Sequence, residues 1–125
     1  MGITYQGFRD LNVYQFSYKY AMKIFDLSLH FPKEEKYSLT DQIRRSSRSV
    51  SANIAEAWAF RKYHKSFVNK LNISYGEALE TKVWLDFAKD NKYMDDQDHH
   101  SLYEEYDNIC KMLYTMMHQP EKFCH

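Results

Sequence analysis

Four stretches of this chain repeat apolar side chains at spacings of three and four residues, the period of one face of an α-helix. Only three glycines and two prolines occur among the 125 residues, which favours long regular elements over a turn-rich β-fold. The pattern predicts four helices, at about residues 12–30, 38–59, 63–90 and 95–118. The predicted core stripes are Val13, Phe16, Tyr20, Ile24, Leu27 and Phe31; Leu39, Ile43, Val50, Ile54 and Ala57; Phe67, Leu71, Ser74, Ala78 and Leu85; and Leu102, Tyr106, Ile109, Leu113 and Met116.

Start and stop signals agree with these four segments. Pro32 ends the first helix, because the residue before a proline avoids the helical region, and Pro120 closes the fourth. Ser38 and Asp95 are predicted N-caps of the second and fourth helices. Helices of about 20 residues, joined by short connections, favour antiparallel neighbours. The chain is therefore predicted to be all-α, with residues 1–125 forming one domain, an antiparallel up-down-up-down four-helix bundle.

The first and third helices each carry a second apolar row besides the core stripe. A helix in a four-helix bundle buries one face, so an extra row indicates burial against another subunit. The alternative is that these tyrosine-rich rows are simply exposed. The predicted subunit interface consists of Tyr14, Tyr18, Ala21, Phe25 and Leu29 on the first helix and Ile73, Gly76, Trp84 and Phe87 on the third.

The net charge is zero, but the charges are segregated along the chain. Residues 44–70 carry seven Lys or Arg and one acid, a net charge of +6, whereas residues 77–107 carry ten acids and three lysines, a net charge of −7. One interpretation is a basic surface that binds phosphates of a nucleic acid; the other is that the two stretches neutralise each other, within the fold or between subunits. The predicted nucleic-acid-binding residues are Arg44, Arg45, Arg48, Arg61, Lys62 and Lys65.

The sequence offers no recognisable catalytic constellation. It contains no Glu-x-x-His, no His-Glu-x-x-His, no Gly-x-Ser-x-Gly and no glycine-rich phosphate loop. Asp96 and His99 lie at a helix start among other acids, and one such pair does not make a two-metal site. Cys110 falls on the core face of its helix, as a small buried residue does. We expect no catalytic residue, no metal site, no cofactor and no small-molecule substrate.

Compartment follows from two further observations. The two cysteines resemble neither a secreted disulfide framework nor a zinc site. There is no run of about 18 apolar residues, and the N-terminal residues lack the basic start and apolar stretch of a signal peptide. We therefore expect a cytoplasmic protein with no membrane span.

Several short motifs occur in an order that resembles one protein family. They are Phe8-Arg9-Asp10-Leu11-Asn12-Val13-Tyr14-Gln15, Phe31-Pro32-Lys33-Glu34-Glu35-Lys36-Tyr37-Ser38-Leu39-Thr40, Gln42-Ile43-Arg44-Arg45 and Ser51-Ala52-Asn53-Ile54-Ala55-Glu56. Together they resemble the bacterial 23S rRNA-intervening-sequence four-helix-bundle proteins over about residues 8–117. The chain departs from that pattern at Ser51, where the family usually has proline, and at Ala57, where a glycine is common.

The resemblance implies an intracellular antiparallel bundle that assembles as a homopentamer. It also implies a distant likeness to an accessory protein of diversity-generating retroelements, a basic pentamer that binds nucleic acid and a reverse transcriptase. Asn53 and Glu56 belong to the family motif, and we expect them to orient Arg45 or a neighbouring helix.

Two functions follow as hypotheses: an oligomeric scaffold that binds RNA or a ribonucleoprotein through the basic stretch, and a protein-binding assembly module whose arginines make inter-subunit salt bridges and bind no nucleic acid.

Overall fold

A computed structural model describes residues 5–124 of the chain. Four helices account for most of them: α1 (Asn12–Ser28), α2 (Leu39–Ala59), α3 (His64–Asp90) and α4 (Asp96–His118). Three short 3-10 turns, at Phe8–Asp10, Lys33–Glu35 and Pro120–Lys122, precede α1, connect α1 to α2 and follow α4. No strand is found among residues 5–124, so the all-α prediction is confirmed.

The helix ends lie within two residues of their predicted positions. The first helix ends at Ser28 rather than His30, because the last turn before Pro32 tightens and His30 N–H bonds to the Leu27 carbonyl three residues back. Asp95 caps α4 as predicted, since its carboxylate accepts a hydrogen bond from Asp98 N–H at 2.7 Å. Ser38 does not cap α2: its hydroxyl donates to the Glu35 carboxylate at 2.5 Å.

Each helix contacts the next along the chain, and α1 contacts α4, which closes the four helices into a square. Tyr93 in the α3–α4 connection donates to the Glu35 carboxylate of the α1–α2 connection at 2.9 Å, so these two connections share one end. Tyr5 packs against Trp58 and Phe123 at the other end, beside the α2–α3 turn. These contacts are consistent with the predicted antiparallel arrangement.

The core contains the expected stripes of α2, α3 and α4 and half of the predicted α1 stripe, since Val13, Ile24 and Phe31 are buried. Phe16 is exposed, and Tyr20 and Leu27 are only half-buried, whereas Ser17 and Ser28 are buried. The reason is a hydrogen bond of 2.8 Å between Ser17 and a serine of α2, which brings the two helices together through small hydroxyl residues. The largest fully buried side chains are Tyr106, Phe67, Ile24, Ile43, Ile54, Leu71, Leu85, Leu102, Ile109, Leu113, Val13 and Val50.

Further hydroxyl contacts of this kind join α2 to α3, the most extensive helix pair in the bundle. Ser74 donates to the Val50 carbonyl at 2.8 Å, and Thr81 donates to the Ser46 hydroxyl at 2.8 Å. All of these side chains are buried, and the hydrogen bonds satisfy their hydroxyl groups inside the bundle. α2 is thus held to both neighbours by its serines as well as by its apolar stripe.

Candidate nucleic-acid and subunit interfaces

Two of the three predicted arginines of α2 converge on one aromatic ring. The Arg44 guanidinium carbon lies 4.6 Å from the centre of the Phe25 ring of α1, and that of Arg48 lies 5.6 Å from the same point. Arg44 Nε also donates to Ser28 at 2.7 Å, which fixes the side chain against α1. Stacking of guanidinium groups on an aromatic face is a favourable cation–π arrangement. We call Arg44 and Arg48 the helix cluster.

A second basic group lies at the turn between α2 and α3. The Arg61 guanidinium carbon lies 3.6 Å from the centre of the Trp58 ring, and Arg61 Nε donates to the Trp58 carbonyl at 3.0 Å. Lys62 and Lys65 are exposed beside it, as is Tyr63. We call Arg61, Lys62 and Lys65 the turn cluster. The helical rise of about 1.5 Å per residue separates it from the helix cluster by about 20 Å.

The third α2 arginine belongs to neither cluster. Arg45 is exposed and makes an ion pair of 3.8 Å with Asp41, one turn earlier in the same helix. The basic stretch that looks continuous in the sequence is therefore divided in space into two clusters and one separate arginine.

Five of the six predicted nucleic-acid-binding side chains have no carboxylate within 4 Å among residues 5–124. Arg45 is the exception, and Lys70, which lies outside that set, pairs with Glu56 at 3.0 Å. Within the described chain, no ion pair joins the basic stretch to the acids of residues 77–107. The described residues therefore show no direct ion pairing that would neutralise the two stretches inside one subunit.

An apolar groove of about 400 Å³ runs between α1 and α2. It is lined by aromatic side chains, by small residues and by Arg48 of the helix cluster. The residues that define this α1–α2 groove are Phe8, Tyr14, Tyr18, Ala21, Met22, Phe25, Arg48, Ser51, Ala52 and Ala55. Four of the five α1 residues predicted for the subunit interface lie in it; the fifth, Leu29, lies just beyond α1 and is 60% exposed.

The outward side of α3 carries the second apolar surface. Ile73 and Phe87 are 41% and 51% exposed, and Gly76 is exposed between them. Trp84 differs, because it is half-buried and packs against the core, with its ring centre 5.8 Å from that of Phe87. Sequence reasoning missed Leu79 and Val83, although both lie three or four residues from predicted members. We call Ile73, Gly76, Leu79, Glu80, Val83 and Phe87 the α3 ridge.

Two neighbouring acids of α3 interact with each other. Burial raises the pKa of the Glu77 carboxyl, and so does the neighbouring Glu80 carboxyl, with which it shares a hydrogen bond; the charge of Arg45 on α2 opposes these effects. Glu77 and Glu80 thus place two carboxyl groups side by side on this part of α3.

Asn53 and Glu56 contact other residues than Arg45. Asn53 is nearly buried, and its side-chain amide donates to the Ser49 carbonyl at 2.9 Å within α2. Glu56 reaches α3 through its ion pair with Lys70. Of the two motif residues, Glu56 thus contacts a neighbouring helix, whereas Asn53 supports its own.

Cys110, Lys82 and His99 each interact with neighbouring groups of the bundle. Burial raises the pKa of the Cys110 thiol, which lowers its thiolate fraction, and Lys82 nearby is paired with Asp107. His99 Nε2 lies 2.7 Å from an Asp86 carboxylate oxygen. No group of three or more side chains positioned to hold a metal ion is found among the described residues.

No helix in the described part of the chain is long and apolar enough to cross a bilayer.

Comparison with known proteins now adds to this geometry. The model of the 23S rRNA-intervening sequence protein family matches residues 9–115. The fold is also similar to a crystal structure, at 1.70 Å resolution, of a protein of unknown function from the S23 ribosomal protein family of Bacteroides thetaiotaomicron VPI-5482. The two share 31% sequence identity with a TM-score of 0.78, over 86% of this chain and 96% of the other. No curated protein matches the sequence. The family match covers α1 to α3, α4 up to residue 115 and most of the chain, so this chain belongs to the 23S rRNA-intervening sequence protein family.

Proposed function

We propose that this chain is a non-enzymatic, homo-oligomeric helical scaffold that binds RNA or a ribonucleoprotein through its basic surface. One observation carries the proposal: five of the six cationic side chains predicted to bind nucleic acid have no carboxylate within 4 Å among residues 5–124. Cations without a carboxylate partner are available to phosphates, and release of condensed counterions then supplies much of the binding free energy.

The turn cluster is the better phosphate site of the two. Lys62 and Lys65 are exposed, and the stack on Trp58 fixes the Arg61 guanidinium at the end of the bundle. Tyr63, 59% exposed between them, offers a ring on which an unpaired base can stack. Contacts of this kind recognise backbone charge and base faces rather than sequence, so we expect binding that depends steeply on salt and weakly on RNA sequence.

The test is fluorescence anisotropy of a labelled RNA that contains both a duplex and a single-stranded loop, titrated with protein at several salt concentrations. The test variant is Arg61→Gln, Lys62→Gln, Lys65→Gln. The matched control is Lys33→Gln, Lys36→Gln, Lys89→Gln, which removes the same charge from exposed or partly exposed positions at the opposite end of the bundle.

We expect the test variant to weaken binding at least tenfold and to reduce the salt slope by about 2, because each phosphate contact with a single strand contributes about 0.7 to that slope. The control should bind within about twofold of the wild type, apart from a small effect of net charge. Equal losses in the two variants would show that only overall charge matters and would contradict a site at the turn.

A second candidate function is an assembly module that binds no nucleic acid. The observation in its favour is that Arg48 of the helix cluster lines an apolar groove, where a protein surface could cover it. Arg44→Glu with Arg48→Glu separates the two functions: loss of RNA binding with an unchanged oligomer supports RNA binding by the helix cluster, whereas dissociation supports inter-subunit salt bridges.

A further inference from the structure

We propose that the α1–α2 groove of one copy receives the α3 ridge of a second copy, with Arg48 and Arg44 facing Glu80. This inference rests on the homo-oligomeric part of the proposed function and specifies how the copies meet. It assigns the helix cluster to the assembly and leaves the turn cluster to RNA.

The two surfaces match in shape and length. The groove is a cavity lined by small residues, Ala21, Ala52 and Ala55, together with aromatic side chains, so it leaves room for a helix. The α3 ridge carries three exposed apolar side chains in the middle and last turns of its helix: Leu79, Val83 and Phe87. The ridge spans about 21 Å from Ile73 to Phe87, and α1 lines the groove for about 17 Å, by the helical rise.

Their charges are complementary. Arg48 lines the groove, Arg44 stacks on the same Phe25 ring, and neither has a carboxylate within 4 Å in the described chain, so the groove carries unpaired positive charge. On the ridge, Glu80 shares a hydrogen bond with Glu77 and makes no ion pair in the described chain. Seating the ridge in the groove would give Arg48 and Glu80 an ion-pair partner that neither has within its own subunit.

Gly76 provides a further observation in favour of close contact at the ridge. It lies inside α3, where glycine is an unfavourable choice, and its backbone does not require glycine because its φ is not positive. A Cβ added there would meet nothing within 4 Å of its own subunit. The space above Gly76 is thus left open on the outside of the ridge, where a second backbone can approach closely.

Because the two mating surfaces differ, the contact is heterologous, and each copy has one groove and one ridge to offer. The groove is lined by α1 and α2 and the ridge lies on α3, so the two surfaces are on different sides of the bundle. A repeated contact of this kind does not stop at a dimer: it closes into a ring where the rotation between copies closes and continues as an open filament where it does not, and we infer a ring.

The experiment blocks one surface at a time and measures mass by native mass spectrometry. Ala52→Trp fills the groove, and Gly76→Arg covers the ridge; both positions are exposed, so the subunit fold tolerates the new side chains. Asn108→Arg, on the exposed side of α4, is the matched control. Circular dichroism should show unchanged helical content in all three.

We expect each blocked variant alone to be a monomer and the control to keep the wild-type mass. A mixture of the two blocked variants should form a heterodimer and nothing larger, because it contains one working groove and one working ridge. A charge test runs in parallel: Arg48→Glu and Glu80→Arg should each raise the dissociation constant at least tenfold, and the double reversal should restore most of the loss.

An oligomeric wild type whose mass is unchanged by both blocked variants would overturn this inference while leaving the homo-oligomer intact. A monomeric wild type would overturn both, and RNA binding by the turn cluster would be measured separately. If Arg48→Glu abolished RNA binding without changing the mass, the groove would hold RNA and not a second copy, which also overturns the proposal.

Discussion

Replacing Tyr106 by phenylalanine should stabilise this protein. Tyr106 is 0% exposed in the centre of α4, and its hydroxyl has no hydrogen-bond partner among the described residues. A buried polar group without a partner costs about 1–3 kcal/mol relative to one exposed to water. The small void left by the oxygen costs roughly 0.3 kcal/mol for about 10 Å³.

The expected gain in the free energy of unfolding is therefore about 1–2 kcal/mol. The entropy of unfolding is about 2.1 cal/mol/K per residue, so each kcal/mol raises the melting temperature of a chain of this length by about 4 °C. Tyr106→Phe should raise it by about 4–8 °C in differential scanning calorimetry, with wild type and variant at the same protein concentration because an oligomer melts in a concentration-dependent way.

Tyr93→Phe is the matched control. It deletes the same atom, but here the hydroxyl donates to Glu35 at 2.9 Å, so the melting temperature should fall or stay unchanged.

The pH dependence of stability is a second readout for Tyr106→Phe. Burial raises the pKa of Tyr106 above its ordinary value of 10.0, so the unfolded chain ionises first and the wild type loses stability as pH rises above about 10.

The phenylalanine variant lacks that loss, and the difference between the two proteins should widen above pH 10. A lower melting temperature for Tyr106→Phe at neutral pH would refute the reasoning, since it would mean that the hydroxyl contributes a favourable bond.

Three other substitutions test contacts that hold the bundle together. Hydrogen bonds from its neighbours lower the pKa of Glu35, so the stability it supplies should be lost as pH falls through that lowered pKa, and Glu35→Gln should remove this dependence from melting curves between pH 3 and 6. Asp107→Asn should lower the free energy of unfolding by about 1 kcal/mol in urea titrations, because it leaves the largely buried Lys82 ammonium without its carboxylate; an unchanged midpoint would mean that the pair contributes nothing. Ser74→Ala should cost about 1 kcal/mol through loss of its bond to Val50, and a stability gain would contradict the role given to the hydroxyl contacts.

The helices could be predicted from the sequence because their signals are local. Apolar spacing, Pro32 and Asp95 act within a few residues of themselves, and the observed ends differ from the predicted ones by at most two residues. The buried face of α1 was predicted only in part: Val13 and Ile24 are buried as expected, but Phe16 is exposed and its neighbour Ser17 is buried, because the position of α2 decides which of the two faces the core. That position depends on contacts between residues far apart in the chain.

The candidate surfaces, too, could be predicted only in part from the sequence. Arg44 and Arg45 are adjacent in sequence, yet one lies on Phe25 of α1 and the other pairs with Asp41 of its own helix. The sequence identified an apolar row on α1 and arginines on α2 as separate features, and only the packing of the two helices brings them into one groove. Whether cations that are neighbours in sequence lie on the same surface thus depends on how the helix is rotated about its axis. Amino-acid composition does not specify that rotation.

Because the turn cluster lies at one end of the bundle, a ring of subunits would have two different faces. In a closed ring every copy points the same way along the axis. Arg61, Lys62 and Lys65 of all copies would then form one positively charged rim, while the α3–α4 connections, with Asp95 and Asp96, would form the other rim. A single RNA could contact several copies on the first rim at once, so weak individual sites would add up to avid binding. The second rim mixes these acids with Lys33, Lys36 and Lys89, so it would attract the same RNA less than the first rim does.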